Sequence, residues 1–325
     1  MPAPARTAVV ALGGNAIIRA GQAGTDGEQQ ENLRAMATAV RELVAGGWRV
    51  VLVHGNGPQV GNLAIQQDAA APLVPRLPLY LLDAMTEGQL GSQLTLALHG
   101  AGDGLPEAVA LITHVVVNED DPAFGRPTKP VGPFMTETEA RAKAAERGWT
   151  VGPDAGRGYR RLVASPRPVR IVELAAVRAL VDRGMIVIAA GGGGVPVVTD
   201  GAGYRGVEAV VDKDLAAQRL ADALGADALV LVTDVPRVQL DYGTDQAREV
   251  AEMTVAQARA YTAEHQFAAG SMGPKVEAAI EFAQHAGRVA VITDAPRVAA
   301  TLGAAPGPGA GTRIVAAAQP TGAIA

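Results

Sequence analysis

Lysine is rare in this chain, because most of its basic residues are arginine. Of the 28 basic residues, only four are lysine: Lys129, Lys143, Lys213 and Lys275. Lys143 lies in TETEARAKAAERG, which predicts an exposed helix and needs no special account. The other three lie beside glycine, proline or aspartate in PTKPVGPF, VDKDLAA and GSMGPK. Because an ammonium is a compact point charge suited to phosphate, we favour phosphate binding over chance for these three lysines.

Glycine-rich turns follow three apolar runs, and turns of this kind can hold a phosphate. The turns are Gly13-Gly14-Asn15, Gly55-Asn56-Gly57 and the run 191–194, which includes Gly193 and Gly194. Glycine lets backbone N–H groups approach an anion closely, and the start of a following helix adds partial positive charge. Each turn alone could be an ordinary tight turn. Together they predict one ligand contacted by backbone on several sides.

Two of the lysines lie at the starts of predicted helices, next to groups that could act with them. Lys213 stands between Asp212 and Asp214, and Lys275 begins a second helix. An aspartate at a helix start is often only a cap, which explains one carboxylate but not a lysine between two. Phosphoryl transfer needs positive charge against the phosphoryl oxygens and little covalent chemistry from the protein. The pattern therefore favours phosphoryl transfer.

Several other sites are excluded or disfavoured by what the sequence lacks. The chain has no cysteine, which excludes disulfides, thiolate metal sites and a cysteine nucleophile. Its five histidines are scattered without metal-ligand spacing, so we expect no dedicated metal site. No P-loop GxxxxGK[ST] occurs, the HRD and DFG motifs of protein kinases are missing, and the GxGxxxG spacing at 55–61 is not the dinucleotide motif GxGxxG.

The charge and hydropathy of the chain limit the classes of partner that it is expected to bind. The formal net charge is −5 and no basic cluster interrupts the chain, which disfavours nucleic-acid binding. No apolar run approaches the roughly 20 residues needed to span a bilayer, and the first residues lack the pattern of a signal peptide. We therefore expect a soluble, cytoplasmic protein that acts on small molecules.

Short apolar runs alternate with segments of helical spacing along the chain. Six runs predict strands: 7–12, 49–53, 108–117, 185–190, 228–232 and 289–292. Helices are predicted at 28–45 and 85–99. This alternation predicts a mostly parallel sheet with helices on both faces. Ligands bind such sheets beyond the carboxyl ends of the strands, so we expect the site at the glycine turns.

Residues 118–168 depart from this alternation. The segment combines prolines, glycines and charges, as in NEDDPAFGRPTKPVGPF, with one short predicted helix. It predicts an insertion that projects from the sheet as a lid.

Six segments, in chain order, resemble carbamate kinase, a family of the amino-acid kinase superfamily. They are ALGGNA, HGNGPQVG, DPAFGRPTKPVGPF, AGGGGVPV, GVEAVVDKDLA and GSMGPKVEAA. The resemblance implies an open three-layer α/β/α sandwich with a mostly parallel sheet and a protruding lid. It also implies one domain over 1–325, with the lid at 118–168 and a nucleotide-binding half at 169–315.

The resemblance implies roles for the lysines. Many amino-acid kinases have a lysine just before the first Gly-Gly, where this chain has Ala-Leu. Carbamate kinases lack that lysine too, and a lysine on the lid supplies the charge; Lys129 matches it. Lys213 and Lys275 would neutralise the transferring phosphoryl group, with Lys275 nearer the nucleotide. Asp214 would orient both lysines.

The other implied site residues contact substrate or nucleotide. Substrate and transferred phosphate would be held by Gly13, Gly14, Asn15, Gly55, Asn56, Gly57, Gly193 and Gly194. The nucleotide side would include Asp234, Tyr242, Met272 and Pro274, with core packing as the alternative for Tyr242 and Met272. Pro236 departs from the family, which usually has an aspartate there.

The expected activity is reversible phosphoryl transfer, ATP + carbamate = ADP + carbamoyl phosphate, run towards ATP in arginine catabolism. Mg²⁺ would arrive with the nucleotide, and the resemblance implies a homodimer. One alternative is a kinase of the same superfamily acting on another carboxylate or phosphate. Another is a nucleotide-binding sensor without catalysis, against which the three lysines and Asp214 argue.

Overall fold

A computed structural model describes residues 6–19, 21–154, 158–268, 270–303 and 310–316, so the ends of the predicted domain 1–325 lie outside the described residues. The strands are β1 Arg6–Leu12, β2 Trp48–His54, β3 Ala108–Ala110, β4 His114–Val117, β5 Lys129–Met135, β6 Thr150–Pro153, β7 Tyr159–Val163, β8 Pro168–Ile171, β9 Ile186–Ile188, β10 Val195–Asp200, β11 Gly203–Gly206, β12 Ala228–Thr233, β13 Val238–Leu240, β14 Arg248–Val250, β15 Glu252–Thr254, β16 Val289–Asp294 and β17 Thr312–Val315.

The helices alternate with these strands. They are α1 Asp26–Ala45, α2 Gln59–Ala70, α3 Leu79–His99, α4 Pro122–Gly125, α5 Glu137–Arg147, α6 Leu174–Asp182, α7 Lys213–Leu224, α8 Val255–Ala263, α9 Met272–Ala283 and α10 Val298–Thr301. None of the helices within the described ranges is long and apolar enough to cross a membrane.

The central sheet has eight strands in the order β15-β17-β16-β12-β1-β2-β9-β3. Its neighbouring strands are parallel except for the pair β16 and β17. In β1, Val9 and Ala11 point into one hydrophobic core, while Val10 and Leu12 point into the other. A strand buried on both faces must be apolar throughout, which explains why these strands appear as continuous apolar runs.

Helices cover both faces of this sheet. Leu33 of α1 and Leu90 of α3 belong to the core on one face, and Leu220 of α7 and Val276 of α9 belong to the core on the other. The predicted three-layer α/β/α sandwich with a mostly parallel sheet is therefore confirmed.

A second sheet and a small three-stranded sheet adjoin the sandwich. The second sheet has the order β11-β10-β4-β8, and the small one has the order β5-β7-β6 with antiparallel pairing. We call β5–β7 together with α5 the lid. Val131 and Val163 of the lid pack with Val60, Leu79 and Leu82 of the body. The boundaries 118–168 and 169–315 stay predictions; Pro168 begins β8, which pairs with β4 in the second sheet.

The single strand expected at 108–117 is wrong, because the structure divides it. β3 pairs with β9 in the central sheet, whereas β4 pairs with β10 in the second sheet. Between them, the backbone N–H and hydroxyl of buried Thr113 donate to the Glu87 carboxyl, at 3.0 and 2.7 Å. The whole run is apolar, so periodicity alone did not reveal that the chain changes sheets at this point.

Candidate active site

The carboxyl ends of β1, β2, β9 and β12 meet at one edge of the central sheet and border a cavity of about 350 Å³. A parallel arrangement brings strand ends together in this way, as the sequence predicted. Of the predicted site residues, the cavity is lined by Gly13, Gly14, Gly55, Asn56, Gly57, Lys129, Lys213, Asp214, Asp234, Pro274 and Lys275.

Asp214 binds two of the lysines at once. Its Oδ1 accepts a hydrogen bond from Lys213 Nζ at 2.6 Å, and its Oδ2 accepts one from Lys275 Nζ at 2.8 Å. Asp214 is only 3% exposed, and Lys275 is 8% exposed. An ammonium has three N–H donors, so each lysine keeps donors for a ligand after binding Asp214.

Asp212 is a site residue to which the sequence analysis assigned no role in the site. Its Oδ1 accepts from the backbone N–H of Asp214 at 2.9 Å and caps α7. Its Oδ2 accepts from Lys129 Nζ of the lid at 3.2 Å. Burial alone would raise the pKa of Asp212, but Lys129 and Lys213 lower it to about 2. The sequence signal was the pair of aspartates around Lys213, of which one both caps the helix and binds the lid lysine.

The two buried lysines differ in their electrostatics. Burial lowers the pKa of Lys213 to about 8; Asp214 opposes this shift, and the like charge of Lys275 adds to it. Burial acts on Lys275 too, but Asp214 and Asp212 outweigh it and raise its pKa. Of these two lysines, Lys275 thus keeps its charge, whereas Lys213 loses its proton in mildly alkaline solution.

Close packing explains why glycine stands at several turns. A Cβ at Gly55 would lie 3.0 Å from Lys213 Cδ, so glycine leaves room for that lysine. Gly192, which has a φ of +67°, lines the cavity, and a Cβ there would overlap the Asn56 side chain. Gly193 and Gly194 were predicted to bind the ligand but do not line the cavity. Their Cβ positions face Val211 and Val115, so they serve packing of the turn.

The Asn56 amide is held from both ends by buried groups that the sequence analysis missed. Its Nδ2 donates to Asp83 Oδ1 at 2.8 Å, and its Oδ1 accepts from Thr86 Oγ1 at 2.7 Å. Asp83 and Thr86 both lie on α3 and are at most 1% exposed. The signal was a set of polar residues within an otherwise apolar helix, which periodicity alone could not assign to the site.

Three buried titratable groups lie beneath the turns. Burial raises the pKa of Asp83 well above its usual range, and the neighbouring Glu87 carboxyl adds to this effect. Burial also raises the pKa of Glu87 to about 8. It lowers the pKa of His54, at the end of β2, to about 4. Glu87 and His54 are therefore held in their neutral forms near pH 7, which avoids the cost of buried charge, and burial acts on Asp83 in the same direction.

The remaining predicted nucleotide residues are divided between the cavity and its surroundings. Asp234 and Pro274 line the cavity. Met272 packs against the core, whereas Tyr242 is 74% exposed and is not among the lining residues. Asn15 belongs to the turn after β1, but its side chain lies outside the described part of the structure. Among the residues described, no group of three or more histidine, aspartate or glutamate side chains could hold a metal ion.

A parallel α/β sheet with lysines and glycine turns at its carboxyl edge is typical of enzymes that transfer phosphoryl groups. Residues 6–294 match the sequence model of the amino acid kinase family. The carbamate kinase of Pyrococcus horikoshii is 46% identical over 289 residues, covering 87% of this chain and 92% of that protein. Carbamate kinase 2 of Enterococcus faecalis is 45% identical, covering 84% of this chain and 88% of that protein.

Comparison with solved structures leads to the same family as comparison of the sequences. A solved structure of carbamate kinase from Giardia lamblia bound to AMP-PNP superposes with a TM-score of 0.87 and 40% identity, covering 96% of this chain and 99% of that one. The chain belongs to the carbamate kinases of the amino acid kinase family. The resemblance seen in the sequence motifs is confirmed.

The buried Glu87 carboxyl predicts how stability depends on pH. Its pKa is about 8 when folded, against an ordinary value of 4.5 that we assign to the unfolded chain. The folded state thus favours the protonated acid; this stabilisation is complete below pH 4.5 and is lost as pH rises through about 8. Glu87→Gln imitates the neutral acid. Its free energy of unfolding should therefore rise, relative to that of the wild type, by about 1 kcal/mol per pH unit between about pH 5 and 8.

Urea unfolding across that pH range measures the free-energy difference. Glu31→Gln, at an exposed glutamate of α1, is the matched control and should show no such trend. A difference between Glu87→Gln and wild type that stays constant with pH contradicts a protonated Glu87.

Proposed function

We propose that this enzyme runs phosphoryl transfer from carbamoyl phosphate to ADP, making ATP and carbamate during arginine breakdown, as a cytoplasmic homodimer. The observation that carries the proposal is the cavity in which Lys129, Lys213 and Lys275 meet two aspartates among glycine turns. Three ammonium groups against two carboxylates leave an excess of positive charge for a phosphorylated ligand.

Lys213 and Lys275 act on the transferring phosphoryl group. In a loose transition state the negative charge spreads over three phosphoryl oxygens, and fixed positive charges stabilise it. Asp214 bonds to both ammonium groups and keeps them in place before the substrate arrives. Because the charges are already positioned, little reorganisation is needed during the reaction.

The glycine turns act at the carbamoyl end. Backbone N–H groups at Gly13, Gly14 and Gly57 hold the carbamate and the transferred phosphate, and Asn56 adds an amide donor or acceptor. The Gly55 N–H donates to the Leu12 carbonyl oxygen, so Gly55 lines the cavity without offering that donor. Bonds from Thr86 and to Asp83 fix which way that amide faces. A fixed amide distinguishes a planar carbamate from a differently shaped acid at lower entropic cost.

Lys129 links lid and body. Its Nζ bonds to Asp212 and, at 3.4 Å, to the Val211 carbonyl oxygen, so the lid lysine already lies at the start of α7. A bound carbamoyl phosphate offers this ammonium a doubly charged partner at the same place. Lid closure over the ligand would exclude water, which otherwise hydrolyses a reactive acyl phosphate.

The nucleotide occupies the other end of the cavity, beside Asp234 and Pro274. The AMP-PNP complex of the Giardia lamblia relative supports an adenine nucleotide as the second substrate. Mg²⁺ enters with the nucleotide, where phosphate oxygens and water supply most of the ligands that it prefers. Met272 lies close in sequence to Pro274 and is proposed to border the adenosine; Tyr242 is proposed to reach it from the surface.

The direct test is ATP formation by the pure protein with ADP, Mg²⁺ and carbamoyl phosphate. Carbamoyl phosphate should give ATP well above both a blank without enzyme and a reaction with acetyl phosphate. Lys129→Ala should raise the KM for carbamoyl phosphate, because the lid then lacks its charge. Equal rates with acetyl phosphate would favour a kinase for another acid, and ADP binding without ATP formation would favour a non-catalytic sensor.

Replacing Lys213 tests the catalytic assignment. Lys213→Ala removes one fixed charge from the phosphoryl group and should lower kcat by roughly 10²–10³-fold. Arg219→Ala, an exposed cation on the same helix, is the matched control and should keep wild-type turnover. Steady-state kinetics on both variants, with circular dichroism to confirm folding, measures the effect. Near-normal turnover in folded Lys213→Ala contradicts the assignment.

The lowered pKa of Lys213 predicts the alkaline limb of the pH profile. The ammonium form is the one that stabilises phosphoryl charge, and this pKa is that of the ligand-free enzyme, so kcat/KM for carbamoyl phosphate should fall as pH rises through about 8, where Lys213 loses its proton. In Lys213→Arg the guanidinium stays charged, and whatever turnover remains should no longer fall over that range. A wild-type kcat/KM that is flat to pH 9 would show that the charge of Lys213 is not required.

A further inference from the structure

A second cavity, of about 290 Å³, lies between the body and the lid on the far side of Val131 from the lysine cavity. We call it the lid cavity. Its body wall includes Asp68 of α2 and Arg76. Its lid wall includes Lys143, Arg147, Trp149 and Arg161. Carbamate kinase chemistry as proposed above uses none of these side chains.

The lid cavity has more cations than its carboxylates can neutralise. Asp68 alone pairs with Arg147, with Lys143 at 2.9 Å and with Arg76 at 3.3 Å. Arg161 pairs with Glu208 at 2.9 Å. Four cations thus line the cavity against two carboxylates. Arg147 also contacts Glu146, but that side chain points to solvent and is not part of the lining.

The walls of the lid cavity are apolar and aromatic. Leu79, Leu82 and Val131 are at most 4% exposed, so they form a fixed floor. The charged groups of Arg161 and Arg147 lie 4.8 and 5.0 Å from the centre of the Trp149 ring. Cations held over an indole remain available at their edges to an anion, and the ring offers a flat apolar surface.

We propose that the lid cavity binds a small organic anion with an apolar carbon body, and that this ligand holds the lid against the body. Excess positive charge selects the anionic head, and the apolar floor with Trp149 selects the carbon body. Such a ligand would contact α2 on one side and α5 on the other. Because β5 contains both Val131 of this cavity and Lys129 of the active site, occupancy would bias the position of Lys129.

The binding test uses 8-anilinonaphthalene-1-sulfonate, an anion with an apolar body, as the probe. Saturating ADP and Mg²⁺ keep it out of the nucleotide site. In a Trp48→Phe background, Trp149 is the sole tryptophan, and energy transfer from it to the probe reports binding beside that ring. One probe per chain is expected. N-phenyl-1-naphthylamine, a neutral relative of the probe, and inorganic phosphate should each bind much more weakly.

Two pairs of variants locate the probe. Ala64→Phe fills the cavity from α2 and should abolish energy transfer, whereas Ala69→Phe, exposed on the same helix, should leave it unchanged. Lys143→Gln should weaken binding about fivefold, and Lys143→Arg should preserve it, since Arg147 and Arg76 still pair with Asp68 in both. Unchanged transfer in Ala64→Phe, or equal binding of the neutral relative, overturns the proposal.

The coupling between the lid cavity and Lys129 is measured through the KM for carbamoyl phosphate. This measurement rests on the proposed function, whereas the binding test does not. Occupancy should change the KM for carbamoyl phosphate without competition against ADP, and Ala64→Phe should remove this response. Probe binding with unchanged KM and kcat would overturn the coupling between the lid cavity and Lys129. If no ATP forms even without probe, the proposed function fails while the binding result still stands.

Discussion

The contact of Asp214 with Lys213 and Lys275 is the interaction on which the active site depends. A buried carboxylate flanked by two ammonium groups is costly to assemble, and removing Asp214 would leave both ammonium groups without the carboxylate they share. The fold meets this cost by placing Asp214 in the first turn of α7, where the helix dipole favours an anion and Asp212 caps the helix. Because both lysines bind Asp214, their ammonium groups lie close together, and a phosphoryl group needs positive charges placed close together.

The turns around these charges depend on a second layer of buried polar side chains. Asp83 and Thr86 fix the Asn56 amide, and Glu87 fixes Thr113 where the chain leaves the central sheet. Burial raises the pKa values of Asp83 and Glu87, which disfavours negative charge that would compete with an anionic ligand for the lysines. Helix α3 therefore serves both the packing of the sheet and the orientation of Asn56, whose side chain lines the cavity.

The lid faces two cavities, and one strand connects them. β5 begins at Lys129, which reaches Asp212 of the body, and continues to Val131 and Met135, which line the lid cavity. Lys129, Pro130 and Val131 pair with consecutive residues of β7, and the register shifts between Val131 and Met135, so the stretch that joins the two cavities runs from Lys129 to Val131. The proposed capture of ligand by Lys129 and the proposed occupancy of the lid cavity would thus act on the same strand of the lid.

The sequence by itself determined the class of fold, the edge of the sheet at which the cavity lies, and the three lysines that line this cavity. Apolar runs, glycine turns and rare lysines are local signals, and parallel topology turns them into one location. Only the tertiary structure decided which glycine faces the cavity, that Asp212 binds Lys129, and that Asp83 and Glu87 support Asn56. It also split the run 108–117 between two sheets. These outcomes depend on contacts between residues far apart in the chain, which spacing within one segment does not encode.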